Sequence, residues 1–200
     1  KSKYKNDINF VFGDIRDYDS VNKVVKKNDI IFHLAALIGI PYSYVSPLAY
    51  IKTNVEGTYN VLESAKNNKI EQLIVTSTSE VYGTAEKVPI NESHRLLGQS
   101  PYAATKIAAD NIALSYYHSF NLPVKIIRPF NAYGPRQSHR ALIPTIILQA
   151  SRSNKVRLGN IKTSRDFTYV KDTCNAFIEL AKSKKLFGQP VNIGTNVEIK

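Results

Sequence analysis

Tyr102 and Lys106 stand four residues apart in the run Tyr102-Ala-Ala-Thr-Lys106. On a helix, positions i and i+4 share a face, which brings the Lys106 ammonium toward the Tyr102 phenol. A cation there favours the phenolate and lowers the phenol from its ordinary value of ~10 toward neutral pH. The product is a general base for an alcohol proton. Alone, the same spacing also describes a half-buried tyrosine beside a solvated lysine. Upstream, Ser77-Thr78-Ser79-Glu80-Val81-Tyr82-Gly83 follows an apolar run at 73–76. Hydroxyls and a carboxylate thus gather at the carboxyl end of a predicted strand, where open α/β sheets bind ligands. The plainer reading is a polar loop whose Ser and Thr cap the backbone, with Glu80 a surface acid. His33, His94, His118 and His139 have no metal-ligand spacing, so no metal site is expected. His33, inside an apolar run, reads as a satisfied core histidine.

Placing such groups requires a scaffold. Residues 8–12, 30–34, 73–76 and 124–127 are short, β-branched and bounded by polar residues, and read as buried strands. Helical stretches at 20–27, 47–67 and 100–120 lie between them. In the second, Val55, Tyr59, Leu62 and Ala65 recur at spacings of three and four. This alternation predicts an α/β fold with βαβ units on a parallel sheet. After Arg136 the rhythm loosens to a helix at 143–151, a strand at 156–158 and a helix at 171–182. Residues 1–135 are expected to form one domain. Residues 136–200 are expected to form a small substrate lobe packed on it and sharing its sheet.

Hydrophobic residues make up 43% of the 200 and charged ones 22%, which argues against disorder and against collagen. No apolar run reaches the roughly 20 residues of a membrane span, so no membrane partner is expected. The single Cys174 excludes an internal disulfide framework and suits a reducing cytoplasm. No Met is present and the chain starts at Lys1, the pattern of a fragment without a secretory leader. The net charge of +11 is uneven: residues 1–100 carry 12 basic and 11 acidic groups, residues 101–200 carry 15 and 5. Such a field attracts phosphates. No zinc-finger, helix-turn-helix or RNP pattern accompanies it, so a small anionic ligand is expected rather than nucleic acid.

Taken together, Ser77 to Gly83 and Ser100-Pro-Tyr-Ala-Ala-Thr-Lys106 resemble the active-site segments of extended short-chain dehydrogenase/reductases that act on nucleotide sugars. Further matches follow in order: Phe12-Gly-Asp-Ile-Arg-Asp17, Phe32-His-Leu-Ala-Ala36, Thr53-Asn-Val-Glu-Gly-Thr58, Arg128-Pro-Phe-Asn-Ala-Tyr-Gly-Pro-Arg136 and Arg165-Asp-Phe-Thr-Tyr-Val-Lys-Asp172. They cover essentially the whole chain. The resemblance implies a Rossmann-like, doubly wound parallel sheet, N-terminally truncated: the first two strands and the Gly-rich loop are absent. The strands that would separate 8–12 from 30–34 are then missing, so 8–12 is expected to pair poorly or not at all. It further implies NAD as cofactor, held by Asp14, Ile15, Leu34, Ala35, Ala36, Tyr102, Lys106 and Pro129. A nucleotide-diphosphate sugar would lie against Thr78, Asn131 and Arg165, with Arg136 and Arg140 weaker candidates. A homodimer through 47–67 and 100–120 is implied as well.

Thr78-Ser79-Glu80 resembles the segment of the 4,6-dehydratases. Oxidation at C4 of the sugar acidifies C5–H, a carboxylate removes that proton, and the C6 hydroxyl leaves as water. The expected roles are Tyr102 as acceptor of the O4 proton, Lys106 as tuner of Tyr102, Thr78 as partner of O4 and Glu80 as C5 base. Ser79 stands where some dehydratases carry an acidic Asp, and Glu80 can serve both tasks. UDP-N-acetylglucosamine is the first expected substrate and GDP-sugars the next. The alternatives are a UDP-glucuronate decarboxylase and then a 4-epimerase. A different class is a noncatalytic dinucleotide sensor or nucleic-acid binder.

Overall fold

The computed structural model describes residues 5–26 and 29–200. Helix α1 (Tyr18–Val25) is capped by Asp17, whose side chain accepts from Asp19 N. Its expected last residue, Lys27, lies outside the described residues. Strand β1 (Ile30–His33) leads through a loop to α2 (Ile40–Val45) and α3 (Pro47–Tyr50). A π-helical turn (Ile51–Glu56) continues into α4 (Gly57–Asn67). Strand β2 (Gln72–Thr76) and a 3-10 turn (Ser79–Tyr82) precede the long α5 (Pro101–Phe120). Strand β3 (Val124–Pro129) and β4 (Asn131–Tyr133) follow, then α6 (Leu142–Ala150), β5 (Phe167–Tyr169), α7 (Val170–Lys182) and β6 (Pro190–Ile193).

Four strands form a parallel sheet in the order β1-β2-β3-β6, with Leu73 opposite Val124 and Ile126 opposite Pro190. Successive side chains of β2 and β3 alternate between two cores, as the strand period demands. Leu73, Val75, Val124 and Ile126 pack with Val61, Leu62 and Ala65 of α4 and Ala113 of α5. Ile74 and Ile127 pack on the other face with Phe177 and Leu180 of α7. Helices on both faces of a parallel sheet are the Rossmann-like, doubly wound arrangement. All the parallel strands end toward one edge, and the catalytic candidates hang there.

Several elements differ from the sequence reading. Residues 8–12 form no strand, and Phe10 and Phe12 are 77% and 102% exposed. The expected failure to pair holds, and the expected burial does not: without a neighbouring strand the segment has no core to enter. Residues 156–158 form no strand either: the Arg157 backbone bonds the Gln149 side-chain amide, its N–H donating to Oε1 at 2.8 Å and its carbonyl accepting from Nε2 at 3.0 Å. The expected helix at 47–67 is broken by the π-helical turn, where the Asn54 side chain leaves the helix face to bond the backbone of Leu37. Strand β1 is an edge strand, so Ile30 and Phe32 are exposed rather than buried. Helix α2 and strand β6 had no expectation attached to them.

Candidate active site

At the end of β2 the backbone turns through Ser77 into the 3-10 turn. Thr78 caps it, its hydroxyl accepting from Glu80 N at 3.2 Å. Gly83 ends the turn at φ +65, a left-handed conformation that favours glycine, and a Cβ there would meet Leu97 O at 2.6 Å. Helix α5 starts with Pro at its first position and Ser100 as cap, the side chain accepting from Ala103 N at 3.1 Å. Tyr102 is thereby fixed in the first turn of α5, buried, with its phenol beside Thr78. Ser79 and Glu80 are half-buried beside it. The structure brings Thr78, Glu80 and Tyr102 together.

Lys106 is one turn further along α5, and its Nζ donates to Thr76 O at 2.5 Å. This corrects the expectation of a phenol tuned downward by Lys106. Burial pushes the Tyr102 phenol up to about 12, with the Thr78 hydroxyl opposing and the negative charges of Glu80 and Asp110 adding to the rise. Burial also pulls the Lys106 ammonium down, while Asp110 supports its charge. His33 is a core residue, as expected: its Nε2 lies 3.0 Å from Thr58 Oγ1, and burial holds it down at about 3.

The cofactor candidates fall into two places. Asp14 folds back on Arg16, whose backbone N and Nε donate to it at 2.9 and 3.0 Å. That pairing lowers its carboxyl to about 2, and both residues face solvent. Ile15 packs against Gly57, where a Cβ would come within 2.5 Å of Ile15 Cδ1, and its carbonyl accepts from Asn60 Nδ2. Leu34 and Ala35 are exposed and Ala36 half-exposed at the carboxyl end of β1. The loop behind them is pinned by Asn54, which bonds Leu37 N at 2.8 Å and Leu37 O at 3.0 Å, and by Tyr50, whose hydroxyl donates to Gly39 O at 2.5 Å. Pro129 ends β3 opposite Ile193. Leu34 and Ala35 thus follow the carboxyl end of β1, and Pro129 closes β3 two strands away in the same parallel sheet.

The substrate candidates spread further. Asn131 starts β4 and faces Phe167 of β5, while its N–H donates to Asp166 O at 3.1 Å. Arg165 lines a cavity of about 500 Å³ with Tyr133, Leu142, Ile143, Leu158 and Phe167. Arg136 has φ +71 and is exposed, as is Arg140, and neither lines that cavity. Asp166 accepts from Thr195 N, Thr195 Oγ1 and Asn196 N, tying the loop after β6 to this wall. Asp172 lies in the first turn of α7, whose cap position is Tyr169.

Sequence reasoning missed Asp110. It is fully buried, accepts from Ser77 Oγ at 2.9 Å and pairs with Arg128 at 2.9 Å. The signal was available: 102, 106 and 110 continue one four-residue spacing along α5. Among the described residues no group of three or more His, Cys, Asp or Glu could hold a metal ion, and no helix is long and apolar enough to cross a membrane.

This geometry agrees with the comparisons. The family model described as GDP-mannose 4,6 dehydratase matches residues 1–200. A dTDP-D-glucose 4,6-dehydratase of Dictyostelium discoideum is 34% identical over 209 residues, covering 96% of this chain and 48% of that protein. A UDP-N-acetyl-alpha-D-glucosaminuronate decarboxylase of Bacillus cytotoxicus is 35% identical, covering 92% and 59%. The crystal structure of a dTDP-glucose 4,6-dehydratase from Streptomyces venezuelae, solved with NAD bound, superposes with a TM-score of 0.89 at 31% identity, covering 95% and 59%. The chain belongs to the GDP-mannose 4,6-dehydratase family, among the extended short-chain dehydrogenase/reductases. It spans about half to three-fifths of the length of these relatives.

Proposed function

We propose that the protein is an NAD-dependent nucleotide-sugar 4,6-dehydratase, with residues 136–200 contributing to a nucleotide-sugar lobe. The observation that carries this reading is the meeting of Thr78, Glu80 and Tyr102 at the end of β2. NAD, when bound, supplies the hydride acceptor for C4 and returns that hydride to C6. Tyr102 accepts the O4 proton and Thr78 orients O4. Lys106 donates to Thr76 O and so fixes the end of β2 just before Thr78. Glu80 removes the C5 proton, and the C6 hydroxyl departs as water with a proton from Glu80, because Ser79 is too weak an acid to give one. As the hydride reaches C6 a proton returns to C5, matching the O4 proton that Tyr102 took, so the net change is loss of one water with no net oxidation. Arg165 takes the diphosphate or nucleotide in the neighbouring cavity, a task suited to a planar guanidinium.

UDP-N-acetylglucosamine and GDP-sugars remain candidate substrates, and the named relatives add dTDP-glucose. Decarboxylation of a UDP-uronate is the second reading, favoured by the decarboxylase relative. A homodimer fits the exposure of Leu48, Ile51 and Tyr59 on α3, the π-helical turn and α4. A cytoplasmic setting fits the single free Cys174. The test is incubation of the full-length protein with NAD and dTDP-, UDP- and GDP-hexoses and UDP-glucuronate, reading product masses. Loss of one water from a hexose supports the proposal and names the sugar. Loss of carbon dioxide from the uronate replaces it with the second reading. Unchanged masses throughout reject both.

A further inference from the structure

Three consecutive residues at the end of β2 each meet α5, one helical turn apart. Thr78 lies beside the Tyr102 phenol, Thr76 O accepts from Lys106 Nζ, and Ser77 Oγ donates to Asp110 Oδ2. Positions 102, 106 and 110 make one stripe of the helix. Asp110 Oδ2 also accepts from Arg128 Nε at 3.0 Å, and Arg128 NH2 lies 2.9 Å from it. Arg128 NH1 donates to Tyr82 Oη at 3.0 Å, and Tyr82 Oη donates to Asn192 Oδ1 at 2.7 Å. Ser77 precedes the turn that carries Glu80, and Tyr82 closes it. One carboxylate oxygen therefore grips both ends of that turn, the first directly and the second through Arg128.

Removing a carboxylate from water is costly unless its partners repay it, and apolar side chains would join helix to strand at less expense. Arg128 also does not use Asp110 as a two-oxygen fork would: Oδ1 has no hydrogen-bond partner among the described residues. The arrangement serves something besides ion pairing. The cluster holds two cations, Lys106 and Arg128, and one anion, Asp110.

We propose that Asp110 is a positioning residue, which through Ser77 and Arg128 sets the Thr78–Glu80 turn against the Tyr102 phenol. This rests on the dehydratase reading for its catalytic consequence, but the placement of the turn is testable without it. The experiment uses full-length protein carrying Ser77→Ala, Asp110→Asn, or Asp110→Asn with Arg128→Met. Turnover is followed with the hexose nucleotide that the wild type dehydrates. Amide hydrogen exchange at Glu80, Val81 and Gly83 is followed without substrate. Ser77→Ala keeps the buried ion pair intact and so decides the matter even where Asp110→Asn does not fold.

In Ser77→Ala and Asp110→Asn we expect kcat to fall about tenfold or more with KM within about twofold, as misplacement of reacting groups would give. Exchange at the three amides should quicken while the β2–β3 ladder stays protected. Wild-type kcat and unchanged exchange in Ser77→Ala would overturn the proposal. So would full recovery of kcat in the double variant, which would make Asp110 a counter-ion only. A wild type that dehydrates nothing rejects the dehydratase reading instead, and the exchange data alone then judge whether Asp110 holds the turn.

Discussion

Glu80 and Tyr102 divide the proposed chemistry, so their replacement should separate its steps. Glu80→Gln is expected to lower water loss by roughly 10²–10⁴-fold, the usual worth of a positioned acid–base group, in product-mass kinetics. If Glu80→Gln dehydrates normally, the C5 base is another residue. The Tyr102 phenol, pushed up to about 12, is protonated at neutral pH, and a base is active only when ionised. Turnover should therefore climb with pH along its acid limb. His33 works on stability instead. Its value falls from 6.5 to about 3 on folding, so below 6.5 the unfolded chain binds more protons than the native one. Stability supplied by neutral His33 is complete above 6.5 and is lost as pH falls from there toward 3, by up to about 1.4 kcal/mol per pH unit. Urea midpoints at pH 5 and 7 should converge in His33→Asn relative to wild type. The types and spacing of Thr78, Glu80, Tyr102 and Lys106 were legible in the sequence. The protonation balance was not, because it depends on burial and on Asp110, whose neighbours come from β2 and β3.

Strand β3 carries a lysine where an apolar side chain would be usual. Lys125 is fully buried, and its Nζ donates to Leu180 O at 2.7 Å and Ser183 O at 2.5 Å, capping the end of α7 from inside the sheet. The ring of Phe187 lies 4.3 Å from the same nitrogen. The last carbonyls of a helix have no partners within it, and a cation there also meets the negative end of the dipole. Lys125→Met should cost about 1–3 kcal/mol by leaving those carbonyls unpaired, read as a lower urea midpoint. Amide exchange should rise first in α7. A mutant as stable as wild type would show that the Met packing compensates. Strands β2 and β3 were legible as short β-branched runs because they are central and buried on both faces. Residues 156–158 have the same local pattern and form no strand, the Arg157 backbone being bonded by the Gln149 side chain instead. Strand β6 is half-buried and paired on one side only, which gives a weak pattern.

At the scale of the molecule, one edge of the sheet stands open. Strand β1 has β2 on one side and no strand on the other among the described residues, and Ile8, Phe10 and Phe12 are exposed nearby in sequence. Unpaired edges and apolar side chains in water both favour self-association. The 200-residue chain produced by itself should bind the dye ANS and elute from size exclusion as a concentration-dependent mixture. A sharp monomer peak without dye binding would contradict this. The sheet order also has a consequence in time. Its fourth strand, β6, is supplied by residues 190–193, some sixty positions after the strand it joins, and Asn192 from that strand receives the hydroxyl of Tyr82. Chains emerge from the ribosome amino end first. A nascent chain that has delivered Glu80 and Tyr102 therefore still lacks the strand that anchors the Ser79–Tyr82 turn. The turn that carries Glu80 gains its Asn192 anchor only after residues 190–193 have been synthesised, well after Tyr102 itself.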